Sequence, residues 1–222
     1  SGGRAFAHDG RMLIRFEPHI FFEEWGKLDP ERFAQYFRYD LNKIWEGHQW
    51  RPSPNAPWRD FHGNQHKEWE VFDFARTTFP PEAVMRSTSM GAPQIMGFNH
   101  ESAGYPSAQA MFDAFVNSAH AQVIALFDFI KSDPGRLNAL RGGDFVTFAS
   151  SYNGPGQAEH YGALLQDGVN TFNRLRVTFS ADSREGVVPV EEPKDSNLDH
   201  QPGNGDNGSN DNTSRLPVPP HP

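Results

Sequence analysis

The chain has 222 residues and not one cysteine. Disulfides, thiol nucleophiles and thiolate metal sites are thereby excluded, while the redox compartment stays open. Long apolar runs are also missing: nothing approaches the ~20 residues that span a bilayer, so membrane insertion is not expected. No signal-peptide pattern is visible. There is no phosphate loop, no dinucleotide fingerprint and no Gly-x-Ser-x-Gly nucleophile elbow, and no cofactor is expected. Basic residues are in deficit, 20 against 28 acidic ones, for a net charge of −8. Such a balance argues against nucleic acid as the main partner. Hydrophobic residues are scarce at 36%, but 19 Phe, 5 Trp and 5 Tyr bury much area per residue and make a core feasible.

The deficits are uneven. From about Ser180 onward there is no Phe, Trp or Tyr, and Asp195 to Ser214 is mostly Asp, Asn, Gly and Ser. This end holds eight acids and three bases, so five of the eight net negative charges lie in it. A segment of that composition cannot bury enough apolar surface to offset its ordering entropy. The expected organisation is one domain over residues 1–180 and a disordered tail or linker over 181–222.

Within the body, Met12 to Phe16 reads as a brief strand. Glu17-Pro18 and Asp29-Pro30-Glu31 read as helix starts, with proline at the first helical position. Residues 38–64 mix Trp45, Trp50 and Trp58 with Pro52, Pro54, Pro57 and Gly63, which suggests an aromatic-pinned loop or flap. Gln65 to Arg76 and Pro81 to Arg86 read as helices. Phe112, Phe115, Val116, Ala119, Val123, Leu126, Phe127 and Ile130 recur at a helical period, predicting one long helix begun by Pro106-Ser107 and ended at Ser132 to Gly135. Arg136–Arg141 and a stretch capped by Asp144 follow, then a last helix over roughly 157–177. The fold class is mainly α, with at most a small β element at a cleft.

Three stretches carry candidate chemistry. Ser87 to His100 is rich in Gly, Pro and small polar residues, yet holds Met90, Ile95, Met96 and Phe98. A loop of that kind lies against a core and presents Gln94 as a rigid amide; the alternative is a plain interhelical connection. Tyr152-Asn153-Gly154-Pro155-Gly156 offers a hydroxyl and an amide, or else is an Asn-Gly helix cap. Glu17, among Phe16, Ile20 and Phe21, is either a desolvated carboxylate or a partner of Arg15. His48, His62 and His66 share one segment, but His62 and His66 lack the Glu of the helical zinc-protease motif, and no metal is expected.

Taken together, these stretches resemble known ones. Ser89 to Met96 resembles the Gly-Leu-Met-Gln-Ile motif of goose-type lysozymes and soluble lytic transglycosylases, and Tyr152 to Gly156 resembles their Ala-Tyr-Asn-x-Gly motif. More closely, Ile14 to Phe21, Gln94 to His100, Phe127 to Ile130 and Phe148 to Gly156 resemble the phage-endolysin-type N-acetylmuramidase family, over roughly residues 1–178. The resemblance implies a lysozyme-like multi-helix domain that cleaves the MurNAc-GlcNAc β-1,4 bond of peptidoglycan. It implies a monomer acting on the cell wall, in the periplasm or outside the cell. Substrate contacts would come from Ser89, Gln94, Phe98, Tyr152, Asn153 and His19, with a Trp of the 45–58 segment for stacking, and Glu17 as a second carboxylate. The family's acid is a Glu directly followed by Ser, which would fall just before Ser1; the internal Glu101-Ser102 pair comes in the wrong order. A chain without that acid, a lytic transglycosylase, and a non-catalytic peptidoglycan-binding module are the readings that remain beside the muramidase.

Overall fold

The computed structural model describes residues 4–185. Residues up to Asn173 form one compact unit. In chain order its elements are β1 (Ile14–Phe16), α1 (Pro18–Glu24), α2 (Pro30–Tyr36), β2 (Phe37–Arg38), β3 (Gln49–Trp50), β4 (Arg59–Asp60), α3 (Gln65–Thr78), α4 (Pro81–Arg86), β5 (Thr88–Met90), β6 (Ile95–Met96), α5 (Ala108–Asn117), α6 (Ala119–Lys131), α7 (Pro134–Gly142), α8 (Phe145–Asn153) and α9 (Ala158–Glu185). The protein is mainly helical. No helix of the described residues is long and apolar enough to cross a membrane.

Most helix starts are where short polar side chains put them. Asp29, Asn64, Ser107, Asp133 and Asp144 each accept a hydrogen bond from a backbone N–H in the first turn of α2, α3, α5, α7 and α8. The expected long helix over 106–131 is two helices. Ser118 is extended (φ −151°, ψ 110°), and its side chain caps the Ala121 N–H at 3.1 Å, starting α6 afresh. The break shifts the apolar face: Phe112, Phe115 and Ile130 are buried as expected, but Val123 and Phe127 are 47% and 54% exposed, and Gln122, Ala125 and Phe129 go inside instead. The last helix runs past its expected end. The expected tail from residue 181 falls mostly outside the described residues, and 181–185 continue α9.

A phenylalanine cluster fills the core. Phe21 is its hub, with ring centroids 5.4–6.1 Å from Phe16, Trp25, Phe33, Phe37 and Phe79. Offset and edge-on aromatic packing of this kind adds to plain area burial. The sheet expected at the cleft is present, in the order β1-β5-β6 and antiparallel throughout. A second sheet, β2-β3-β4, occupies the segment whose composition suggests an aromatic-pinned loop or flap.

As an edge strand, β1 leaves backbone groups to satisfy, and the first turns of α3 supply the partners. Gln65 brackets Ile14, accepting its N–H at 2.9 Å and donating to its carbonyl at 2.8 Å. Trp69 Nε1 donates to the Met12 carbonyl, and Glu68 accepts from the Phe16 N–H at 3.2 Å.

At the other end of the chain's glycine repertoire, Gly142 closes α7 with open space where a Cβ would stand and no unusual φ. Gly142→Ala should therefore be neutral or stabilise by about 0.5 kcal/mol, helix propensity being the only change. A thermal melt measures it, and a fall in Tm of several degrees would contradict the open space.

Candidate functional site

Strand pairing sets the polar face. Arg15 lies opposite Ser89, and Ser89 opposite Met96, so their side chains leave the β1-β5-β6 sheet on one side. Ile14, Met90 and Ile95 leave on the other and are buried. Glu17, two residues beyond Arg15 and still extended, joins the polar side; its N–H bonds to the Ser87 carbonyl at 2.9 Å.

The β5–β6 turn is held from within. Gln94 stands at φ 52°, among the described residues the sole non-glycine in the left-handed region. A conformation that costs about 1–3 kcal/mol persists where the surroundings over-determine it. Here they do so through the amide. Gln94 Oε1 accepts from Ser89 Oγ at 2.9 Å, and Nε2 donates to the Gly91 carbonyl at 2.7 Å. The sequence presents Gln94 as a rigid amide; in the structure that amide staples its own turn, and Ser89 is part of the staple.

Gln122 holds the same turn from below. It is fully buried, accepts from the Ala92 N–H at 2.8 Å and donates to the Phe115 carbonyl at 2.9 Å. From the side, Tyr152 Oη donates to the Pro93 carbonyl at 3.0 Å. Its phenol is pushed up by burial, so it stays protonated. Tyr152 packs between Phe129 and Phe148. Asn153 is exposed and ends α8, and Gly154 (φ +87°) closes it, as the helix-cap reading expects. Pro93, Tyr152 and Asn153 border a cavity of about 380 Å³ lined otherwise by Leu, Ile, Phe and Tyr side chains of α6 to α9.

Phe98, in the turn after β6, is 38% exposed. Of the tryptophans expected to offer a stacking face, Trp50 is buried against Phe74, and Trp58 lies between the guanidinium groups of Arg38 and Arg51 at 4.6 and 4.3 Å. Trp45 alone of the three is open, at 62% exposure.

Glu17 is not an open carboxylate. Its Oε1 accepts from Arg15 Nε at 2.6 Å, as the ion-pair reading expects. Its Oε2 is buried, has no hydrogen-bond partner, and lies 3.3 Å from His48 Nδ1 and 3.7 Å from His19 Nδ1. His19 stacks on His48 at 5.1 Å. A chain of contacts continues from His48 Nδ1 to His62 Nε2 at 2.7 Å, and from His62 Nδ1 to Glu68 Oε1 at 2.7 Å. Burial is the main cause of every shift along it. The pKa of His19 and of His48 is lowered, that of His62 is lowered to about 4, and that of Glu68 is raised to about 8. The set favours neutral imidazoles. His66 is exposed and takes no part.

Two residues of this site escape a reading of the sequence. Glu68 carried a signal: it shares a helix face with Phe72 and Ala75, where an acid is out of place. Gln122 carried none, since a lone glutamine beside Val123 and Ile124 reads as solvated.

The chain matches the N-acetylmuramidase family over residues 1–173. The crystal structure of a Burkholderia AP3 phage endolysin is similar to it, with 27% sequence identity and a TM-score of 0.59 over 79% of this chain. The matched part is 61% of that endolysin, so the chain spans less than two thirds of its length. No curated protein sequence matches the chain.

Proposed function

Since the chain belongs to the N-acetylmuramidase family, we propose that the polar face of the β1-β5-β6 sheet and its turn binds a peptidoglycan glycan strand, in a protein that hydrolyses the MurNAc-GlcNAc β-1,4 bond. The observation that carries this reading is the convergence of two distant segments. The Tyr152 hydroxyl closes on the Pro93 carbonyl, bringing Asn153 beside the Gln94 turn. Both segments lie inside the family match. Glycoside cleavage passes through an oxocarbenium-like state that a carboxylate stabilises. We assign that electrostatic part to Glu17, which Arg15 holds in place. Asn153 and Phe98 supply exposed amide and ring contacts, while Gln94, Ser89 and Tyr152 fix the turn that carries them. His19 borders Glu17. The site of action is the cell wall.

Digestion of purified peptidoglycan followed by mass spectrometry tests the reading. Reducing MurNAc ends are expected. Anhydro-sugar ends would mean a lytic transglycosylase, and retention on peptidoglycan without cleavage a binding module. In an active protein, Glu17→Gln should abolish most turnover with the fold kept, and retained hydrolysis would remove Glu17 from the assignment. Tyr152→Phe deletes one hydrogen bond, a net effect of about 1 kcal/mol. It should lower turnover by up to about tenfold through the Pro93 turn. Unchanged activity would reduce Tyr152 to packing.

A further inference from the structure

We propose that Glu17, His48 and His62 form a binding site for one divalent transition-metal ion, with zinc as the best fit to two imidazoles and a carboxylate. The ligand atoms of these three residues all lie within 4.8 Å of one another. The surroundings turn the lone pair of His48 inward, and one tautomer of His62 does the same. The Ile44 carbonyl can only accept, so His48 Nε2, 2.8 Å away, carries the proton and Nδ1 is the bare nitrogen. His62 Nδ1 faces the buried Glu68 carboxyl, and donating there leaves Nε2 bare. The third atom is Glu17 Oε2, buried and unpartnered, its sister oxygen held by Arg15. A proton shared between the two imidazoles satisfies His48 and His62 but leaves Glu17 Oε2 without a bond. A cation serves all three.

The surroundings have the build of a metal site. Glu68 behind His62 is the carboxylate that commonly orients a ligating imidazole, and it is anchored by the Phe16 N–H. The Ile44 carbonyl does the same for His48. Ligand atoms around zinc stand about 3.3 Å apart. The Glu17–His48 spacing is already 3.3 Å, while the His48–His62 pair at 2.7 Å opens by roughly half an ångström. Three protein ligands leave a fourth position for water.

The ion would also have a structural task. His48 immediately precedes β3 and His62 follows β4, so the two ligands close the base of the Pro-rich and Trp-rich excursion between them. Glu17 ties that base to β1. In this arrangement both oxygens of Glu17 are engaged, by Arg15 and by the ion, so the electrostatic role assigned to Glu17 above applies to the metal-free site alone.

Zinc and cobalt titrations of the 222-residue chain, free of tags and chelator, test the site. One equivalent should bind, with the visible band of tetrahedral cobalt, and zinc at a hundredfold excess over Kd should raise Tm by about 5–10 °C. His48→Gln and His62→Gln should each weaken binding by at least about tenfold, and His120→Gln, an exposed control, should not. Should either ligand variant fail to fold, anomalous scattering at the zinc edge from wild-type crystals decides, with the peak expected between Glu17 Oε2, His48 Nδ1 and His62 Nε2. No stoichiometric uptake, uptake indifferent to both histidines, or a peak elsewhere would overturn the proposal. Glycan cleavage is not the readout, so its presence or absence leaves this test intact.

Discussion

Gly97→Ala should destabilise the protein by about 3 kcal/mol or more, the high end of what overpacking costs. Gly97 follows β6 and is buried. A Cβ built on it would stand 1.9 Å from the Met85 carbonyl oxygen and 2.6 Å from the Met85 carbonyl carbon. Those atoms belong to α4 backbone, so no side-chain rotation relieves the clash. Either α4 or the turn after β6 must move, and both are tied: the His100 N–H bonds to the Gly97 carbonyl, and Arg86 next to Met85 is paired with Glu24 at 2.6 Å. For a domain of this size about 3 kcal/mol corresponds to a fall in Tm of roughly 6–12 °C. The result is sharpest beside Gly142→Ala, which adds the same methyl group in open space. Similar melts for the two variants would show that close approach at Gly97 is not what holds the turn against α4.

Gly97 also shows what could be read in advance. A glycine in a stretch with Ile95, Met96 and Phe98 allows close backbone approach, but the sequence does not say that α4 is what comes close. Helix starts were legible for a local reason: Asp29, Ser107 and Asp144 each act on the N–H group three residues on. The split at Ser118 was hidden because apolar residues continue at helical spacing on both sides of it, although the break turns a different face of α6 inward. The second sheet was hidden by size, its strands being two residues each. The family resemblance, read from four short motifs, agrees with the family match over residues 1–173. Individual roles were less legible. Gln94 and Tyr152 have the right chemistry for sugars, yet in the structure their polar atoms serve Ser89, Gly91 and Pro93. Which partner a polar group takes is decided by tertiary neighbours that sequence spacing does not encode. The same holds for His48 and His62, fourteen residues apart and brought into contact by a hairpin.

Gln122→Leu should cost about 2–4 kcal/mol, since two buried hydrogen bonds are lost and an apolar group cannot replace either. The volume changes little, so cavity formation is not the cause. Its larger effect should be on the β5–β6 turn, because Gln122 is the support that reaches Ala92 from α6. With that bond gone, the strained φ of Gln94 is held by its contacts to Ser89, Gly91 and Leu13 and by Tyr152 on the Pro93 carbonyl. Any activity or glycan retention that depends on the turn should fall beyond what the unfolded fraction explains, measured well below Tm. Gly91 supplies an internal check. A Cβ there would meet Gln122 Oε1 at 2.4 Å, and the φ of +71° adds strain of its own. Gly91→Ala should therefore destabilise strongly in the wild-type background. In Gln122→Ala the blocking oxygen is absent and only the φ strain, about 1 kcal/mol, remains. The double variant should be less damaged than the sum of the singles by about 1–2 kcal/mol, as expected for residues in direct contact. Additivity would mean that the amide does not press on the Gly91 turn, and the account of how α6 supports Gln94 would fail with it.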